Sequence, residues 1–134
     1  MDPQATAAGY DQIAQWWQTQ HRASRYGIAA LEKALQFVAK RGSAIDIGCG
    51  SSGRFIEILI QQGFQPEGLD ISAEMIRLAQ QRHSDRSFHH ADVCTWTPPR
   101  QYGLITAWDS TFHLPLAQQE PVTRKLCGAL EPEG

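Results

Sequence analysis

The chain has 134 residues and 14.9 kDa, with 12 Lys+Arg against 14 Asp+Glu and a formal net charge of −2. At about 150 residues per domain that length makes one domain, 1–134, and 42% hydrophobic with 19% charged residues is the balance of a globular chain rather than of a disordered segment or a coiled coil. No apolar run approaches the ~18 residues of a membrane span, the stretch from Met1 to Asp11 has neither the basic nor the apolar part of a secretory signal, and a pI of 6.2 without a Lys/Arg cluster argues against a nucleic-acid partner.

Cys49, Cys94 and Cys127 are an odd number at wide spacing, which fits neither a disulfide framework nor a metal-binding pair. A soluble, cytoplasmic protein is expected. Tyr10 to Gln20 carries Tyr10, Ile13, Ala14, Trp16 and Trp17 on a helical stripe. Ser24 to Lys40 is a second helix, with Ser24 as cap, Ile28, Leu31, Leu35 and Val38 at three- and four-residue steps, and Gly42 beyond its basic end. These two helices form an N-terminal extension over 1–42.

The period then changes. Ser43 to Ile47 is β-like and runs into glycines. Arg54 to Gln62 is helical, with Gly63 suited to the position after it. Phe64 to Leu69 reads as a second strand, and Ser72 caps a helix running to about Arg82 with Glu74 in its first turn. Ser87 to His90 and Tyr102 to Trp108 read as the third and fourth strands. Pro121 suits the first turn of a last helix to about Leu130, after a separate turn over Leu116 to Glu120. Strands alternating with helices mean βαβ units: an α/β, doubly wound, mostly parallel sheet over 43–134 with helices on both faces.

Gly48-Cys49-Gly50-Ser51-Ser52-Gly53 lies between a strand and a helix, the context that raises a GxGxxG match above chance. The glycines permit a tight turn and close approach of a ligand to the backbone, and the helix that follows offers unpaired N–H groups. A pyrophosphate would sit there, and so would the carboxylate of an amino-acid moiety. Asp70 falls at the end of the second strand, 24 residues after Asp46, where an acid accepts ribose hydroxyls. Together these features indicate an adenosine cofactor without choosing which.

The set of motifs is more specific. Ala44 to Phe55 resembles motif I of the class I S-adenosylmethionine-dependent methyltransferases, and Gly68-Leu69-Asp70-Ile71-Ser72 resembles their second-strand motif. His90-Ala91-Asp92-Val93 is similar to the segment that places an acid near the adenine amine, with Trp96 following as in many members. Tyr102 to Asp109 is similar to the fourth-strand motif, and Leu130-Glu131-Pro132-Glu133-Gly134 to the turn before strand five. The steps from Asp70 to Asp92 and from Asp92 to Asp109, 22 and 17 residues, keep the family's strand-to-strand rhythm. Ser52 stands where members usually have glycine. The C-terminal strands of the family fold are missing from the sequence, and a sheet ending at strand four is expected to leave an edge that pairs with another copy.

The resemblance implies S-adenosylmethionine as cofactor and a small-molecule methyl acceptor. It implies that Gly48, Cys49 and Gly50 approach the methionine part, with Asp46 holding that loop or the amino group. Asp70 would bind ribose, Ile71 and Val93 flank the adenine, Asp92 meet its amine, and Trp108 lie near the methionine ammonium. His113, just past strand four, is the candidate base, with Asp109 as a second candidate. Tyr10, Trp16 and Trp17 are expected in the core rather than in the pocket, and Arg22 and Arg25 on the surface. His83, His89 and His90 suggest no metal site, because adjacent strand residues point to opposite faces. Two other readings compete. One is a nicotinamide-dinucleotide domain, which the helices before the first strand disfavour; the other is a methyltransferase-like scaffold without activity.

Overall fold

The computed structural model describes residues 1–134. Its elements in chain order are helices α1 (Pro3–His21) and α2 (Ile28–Leu35), strand β1 (Ser43–Ile47), α3 (Arg54–Gln61), β2 (Gln65–Asp70), α4 (Ala73–Arg82), β3 (Phe88–His90), β4 (Leu104–Thr106) and α5 (Leu116–Gly128). A 3₁₀ turn, Thr111–His113, precedes α5. The sheet has the order β3-β2-β1-β4, with every pairing parallel. Parallel strands cannot be joined by tight turns, so α3 and α4 cross over the sheet between successive strands.

Successive residues of β1 face opposite layers. Ala44 packs into a cluster with Leu31 and Leu35 of α2, Phe55 and Leu59 of α3, and Phe64. Ile45 and Ile47 face the other way, into a cluster with Leu69, Val93, Tyr102 and the α5 residues Val122 and Leu126. Helices therefore cover both faces. α1 lies on α4, where Ala14 packs with Met75 and Leu78, and no helix is long and apolar enough to cross a membrane.

Element boundaries follow local chemistry. α1 starts at Pro3, not Tyr10, because Asp2 accepts a hydrogen bond from the Gln4 N–H at 3.2 Å and Pro3 occupies the first turn, where its missing N–H is not needed. α2 is shorter than its apolar stripe suggests. Ser24 caps only the preceding turn, accepting from the Tyr26 N–H, and the helix begins after Gly27, whose φ of 81° is left-handed. Ser72 caps α4 as expected, accepting from the Met75 N–H at 3.1 Å, and Gly63 follows α3 at φ 87°. α5 is continuous from Leu116, with Pro121 inside it rather than at its start. β4 is shorter than the apolar run, giving way before Asp109, which has φ 49°. β3 and β4 are the edges of the sheet; past α5, Leu130 comes alongside the start of β4 in a parallel bridge with Tyr102.

Candidate functional site

The carboxyl ends of β1, β2 and β4 open into one cavity of about 280 Å³, the place where a doubly wound sheet holds its ligands. Its floor is the turn after β1. Gly48 and Gly50 have φ of 74° and 63°, a conformation that side-chain-bearing residues rarely adopt. A Cβ on Gly48 would collide with the side chain of Ser110, whereas one on Gly50 would meet nothing within 4 Å, so the Gly50 backbone is open to a ligand. The turn is tied to the end of β2. The N–H groups of Gly48 and Cys49 both donate to the Leu69 carbonyl, at 2.7 and 3.0 Å. The Gly50 N–H donates to Asp70 Oδ2 at 2.9 Å, and the Ser72 N–H to Asp70 Oδ1 at 3.0 Å. Cys49 turns its thiol under the turn, where Gly68 leaves room for it.

Burial dominates the electrostatics. Asp46 is 5% exposed and accepts the Thr106 hydroxyl at 2.7 Å; desolvation, aided by Asp70 and opposed by that hydrogen bond, pushes its pKa up to about 7. Burial also raises the Asp70 pKa, against the pull of its backbone N–H donors, and holds the Cys49 thiol protonated. With Gly50 and Ser72 on different oxygens, the Asp70 carboxylate still has acceptor capacity for a ligand hydroxyl.

α1 forms the opposite wall. Pro3, Thr6, Tyr10, Trp17 and His21 line the cavity, at steps of three, four and seven that place them on one helix face. The Tyr10 hydroxyl and His113 Nε2 share a 2.9 Å hydrogen bond that joins this wall to the segment after β4. Burial, then Asp70 and Asp109, raise the Tyr10 pKa and keep its hydroxyl protonated, while Nδ1 of His113 is buried without a partner. Asp11 fastens α1 to the start of α4, accepting from the Ser72 hydroxyl at 2.5 Å and the Glu74 N–H at 3.1 Å. Gln18 reaches the Ser51 carbonyl at 3.4 Å. The remaining rim is aromatic. Trp108 lies edge-on to Tyr26 and covers Gly27, where a side chain would strike the indole, and Arg54 holds the carbonyls of Ser24 and Tyr26.

All eleven candidate residues from the sequence line this cavity: Asp46, Gly48, Cys49, Gly50, Asp70, Ile71, Asp92, Val93, Trp108, Asp109 and His113. Tyr10 and Trp17, expected in the core, also line it, and Trp16 is 58% exposed. The signal for Tyr10 was its hydroxyl, a polar group that needs a partner when an otherwise apolar stripe is buried. Thr106 lay within the fourth-strand motif without being singled out, and His21 and Tyr26 carried no motif and emerge only from the fold. Arg22 and Arg25 are on the surface, Arg25 facing Glu32. His89 Nε2 pairs with Glu67 at 2.7 Å, and His90 Nε2 with the Ile71 carbonyl.

Comparison with known proteins agrees with this geometry. The methyltransferase domain family model matches residues 44–134. The chain is 28% identical over 115 residues to dTDP-3-amino-3,6-dideoxy-alpha-D-glucopyranose N,N-dimethyltransferase of Streptomyces fradiae, covering 82% of this chain and 44% of that enzyme. It is 35% identical over 91 residues to trans-aconitate 2-methyltransferase of Rhodopseudomonas palustris, covering 66% and 34%. The solved structure of a DhpI-SAM-HEP complex superposes with a TM-score of 0.75 at 25% identity, over 98% of this chain and 62% of that one. The chain thus spans less than half of each of those two curated relatives. With residues 44–134, two thirds of its length, matched by the family model and its fold matched over 98% of the chain, the chain belongs to the methyltransferase domain family, whose cofactor is S-adenosylmethionine.

Proposed function

We propose that the chain is the cofactor-binding part of a methyltransferase that transfers the methyl group of S-adenosylmethionine to a small-molecule acceptor. One observation carries the reading. The open Gly50 backbone, the Asp70 carboxylate hydrogen-bonded to it and the Asp92 carboxylate face a single cavity whose opposite wall carries the Tyr10–His113 pair. S-adenosylmethionine, when bound, supplies a methyl carbon activated by a sulfonium leaving group.

The residues divide the work between binding and proton handling. Asp70 receives ribose hydroxyls on the lone pairs that Gly50 and Ser72 leave free. Ile71 and Val93 flank the adenine and Asp92 accepts from its amine. The turn at Gly48, Cys49 and Gly50 presents backbone to the methionine end, with Asp46 and Trp108 on its two sides. His113 takes the proton of an acceptor hydroxyl or amine. Tyr10 fixes the imidazole by accepting from Nε2–H, the tautomer that leaves Nδ1 bare to take that proton. Asp109 is the second candidate for that proton. The aromatic rim excludes water and orients the acceptor, which is most of what an in-line displacement needs from a protein.

Calorimetry with S-adenosylmethionine, S-adenosylhomocysteine and NAD tests the binding half; tight NAD binding with neither adenosyl ligand bound overturns it. Transfer of labelled methyl to a panel including a 3-amino-3,6-dideoxy sugar nucleotide and trans-aconitate tests the chemistry. His113→Ala should slow transfer about 10²-fold or more with the S-adenosylhomocysteine dissociation constant unchanged. Equal rates for the variant and the parent remove His113 as the base.

A further inference from the structure

We propose that Lys125, on α5 and outside the cavity lining, is a positioning residue for the nucleoside end of the cofactor site, acting through the turn that carries Asp92 and Val93. The inference rests on the adenosyl-cofactor reading above. After β3 the chain makes a single tight turn. The Thr95 and Trp96 N–H groups donate to the Asp92 carbonyl at 3.1 and 2.8 Å, and the Cys94 N–H donates to Asp92 Oδ1 at 2.8 Å. One isolated turn of this kind fixes several dihedral angles for few hydrogen bonds and is unstable by itself. Lys125 Nζ meets three of its carbonyls, donating to Val93 at 2.6 Å, Cys94 at 3.0 Å and Trp96 at 2.9 Å.

An ammonium has three protons and no acceptor, so all three are used on this one turn. The pattern is that of a cation closing the carbonyl end of a helix, transferred to a loop by a neighbouring helix. The lysine is held in turn from below: Val122 and Leu126 beside it on α5 pack in the same cluster as Val93. Asp92, with Oδ1 occupied by its own turn, has Oδ2 left for the ligand, and Val93 is clamped at its carbonyl while its side chain closes the cavity wall. Lys125 itself touches no ligand. It sets the fraction of molecules in which the turn is already formed, and the observed dissociation constant scales inversely with that fraction.

Lys125→Met keeps the apolar stem and removes the donors; Lys125→Arg keeps the charge, but its planar fork cannot direct three donors at carbonyls converging on one point. Hydrogen exchange on the ligand-free protein should show faster exchange at the Thr95 and Trp96 amides in Lys125→Met, with the β1 amides unchanged. The dissociation constants of S-adenosylhomocysteine and of methylthioadenosine, which carries only the nucleoside end, should both rise about tenfold, with Lys125→Arg intermediate. In the Asp92→Ala background the further loss should shrink, since the two residues act on one contact. Unchanged constants in Lys125→Met, or full additivity with Asp92→Ala, overturn the proposal. Should Lys125→Met fail to fold, Lys125→Arg decides by the same constants: parent-like binding overturns the proposal, and weakened binding of both ligands supports it. A parent protein that binds neither adenosyl ligand overturns the cofactor reading and this proposal together, whereas parent binding with an unaffected variant overturns this one alone.

Discussion

Asp46 gives the sharpest quantitative expectation, because its titration falls where proteins are handled. Its pKa of about 7, against the ordinary 3.8, means that the folded protein holds a proton on this carboxyl between pH 4 and pH 7 while the unfolded chain does not. Stability therefore falls as the pH rises through that window, and the gap between the two values corresponds to about 4 kcal/mol at full development. Asp46→Asn retains an oxygen that can accept the Thr106 hydroxyl and cannot ionise. The variant should match the parent near pH 4 and exceed it by up to about 4 kcal/mol near pH 8, as read by urea unfolding at several pH values. Asp70, whose pKa is also raised, leaves a slope of the same sign in the variant. A difference between the two proteins that stays constant from pH 4 to pH 8 refutes the reasoning. Ligand affinity moves the other way if Asp46 faces an ammonium: the ionised carboxylate binds it, so S-adenosylhomocysteine binds more tightly as the pH rises through 7.

Asp70→Asn leaves either the Gly50 or the Ser72 N–H facing an amide NH2, makes the other's acceptor neutral, and removes charge from the proposed ribose contact. At about 1.5–3 kcal/mol for a hydrogen bond to a charged group, calorimetry should find the S-adenosylhomocysteine dissociation constant raised about 10- to 100-fold; a change below threefold contradicts the assignment. Asp11→Ala takes the acceptor from the Ser72 hydroxyl and the Glu74 N–H, costing about 1–2 kcal/mol and exposing α1 to protease first. Unchanged melting and proteolysis would show that α1 is held by its apolar contacts alone. Glu67→Ala leaves His89 Nε2 and the buried Tyr102 hydroxyl without their shared acceptor, a loss of about 2–3 kcal/mol measurable by denaturant unfolding. Arg100, more than half exposed, returns to solvent and contributes little of it.

What the sequence made legible was the part of the site built on motif residues. Ser43 to Ile47, the glycine turn and the Ser72 cap are local: strand period, left-handed glycines and a hydroxyl at the right offset each have one comfortable backbone solution. The three acids at strand ends follow because the strands are parallel and in register, so their carboxyl ends share one edge. The opposite wall was not legible, since whether a helical stripe faces a core or a cavity depends on what lies across from it. Tyr10 faces His113, 103 residues away in sequence, and Lys125 holds carbonyls some thirty residues upstream. Backbone acceptors leave no mark in a sequence at all. Pro121 misled for a related reason: a proline inside the second turn of α5 forfeits one hydrogen bond, and packing of Val122 and Leu126 into the sheet outweighs it.

The glycine turn also limits which ligand groups can bond to it directly. A dinucleotide pyrophosphate is held by backbone N–H groups that the turn leaves free. Here the N–H groups of Gly48 and Cys49 are both committed to the Leu69 carbonyl, and that of Gly50 to Asp70. What the turn presents instead is the bare Gly50 backbone beside the carboxylates of Asp70 and Asp46. Such a surface favours hydroxyl donors and cationic groups and leaves an anionic group, whether pyrophosphate or carboxylate, to the N–H groups at the start of α3. S-adenosylmethionine carries both, in its ribose, its ammonium and its sulfonium. Which ligand groups the turn can meet directly is therefore written in which amides are already bonded, a property of how β1 and β2 end together rather than of the glycines themselves.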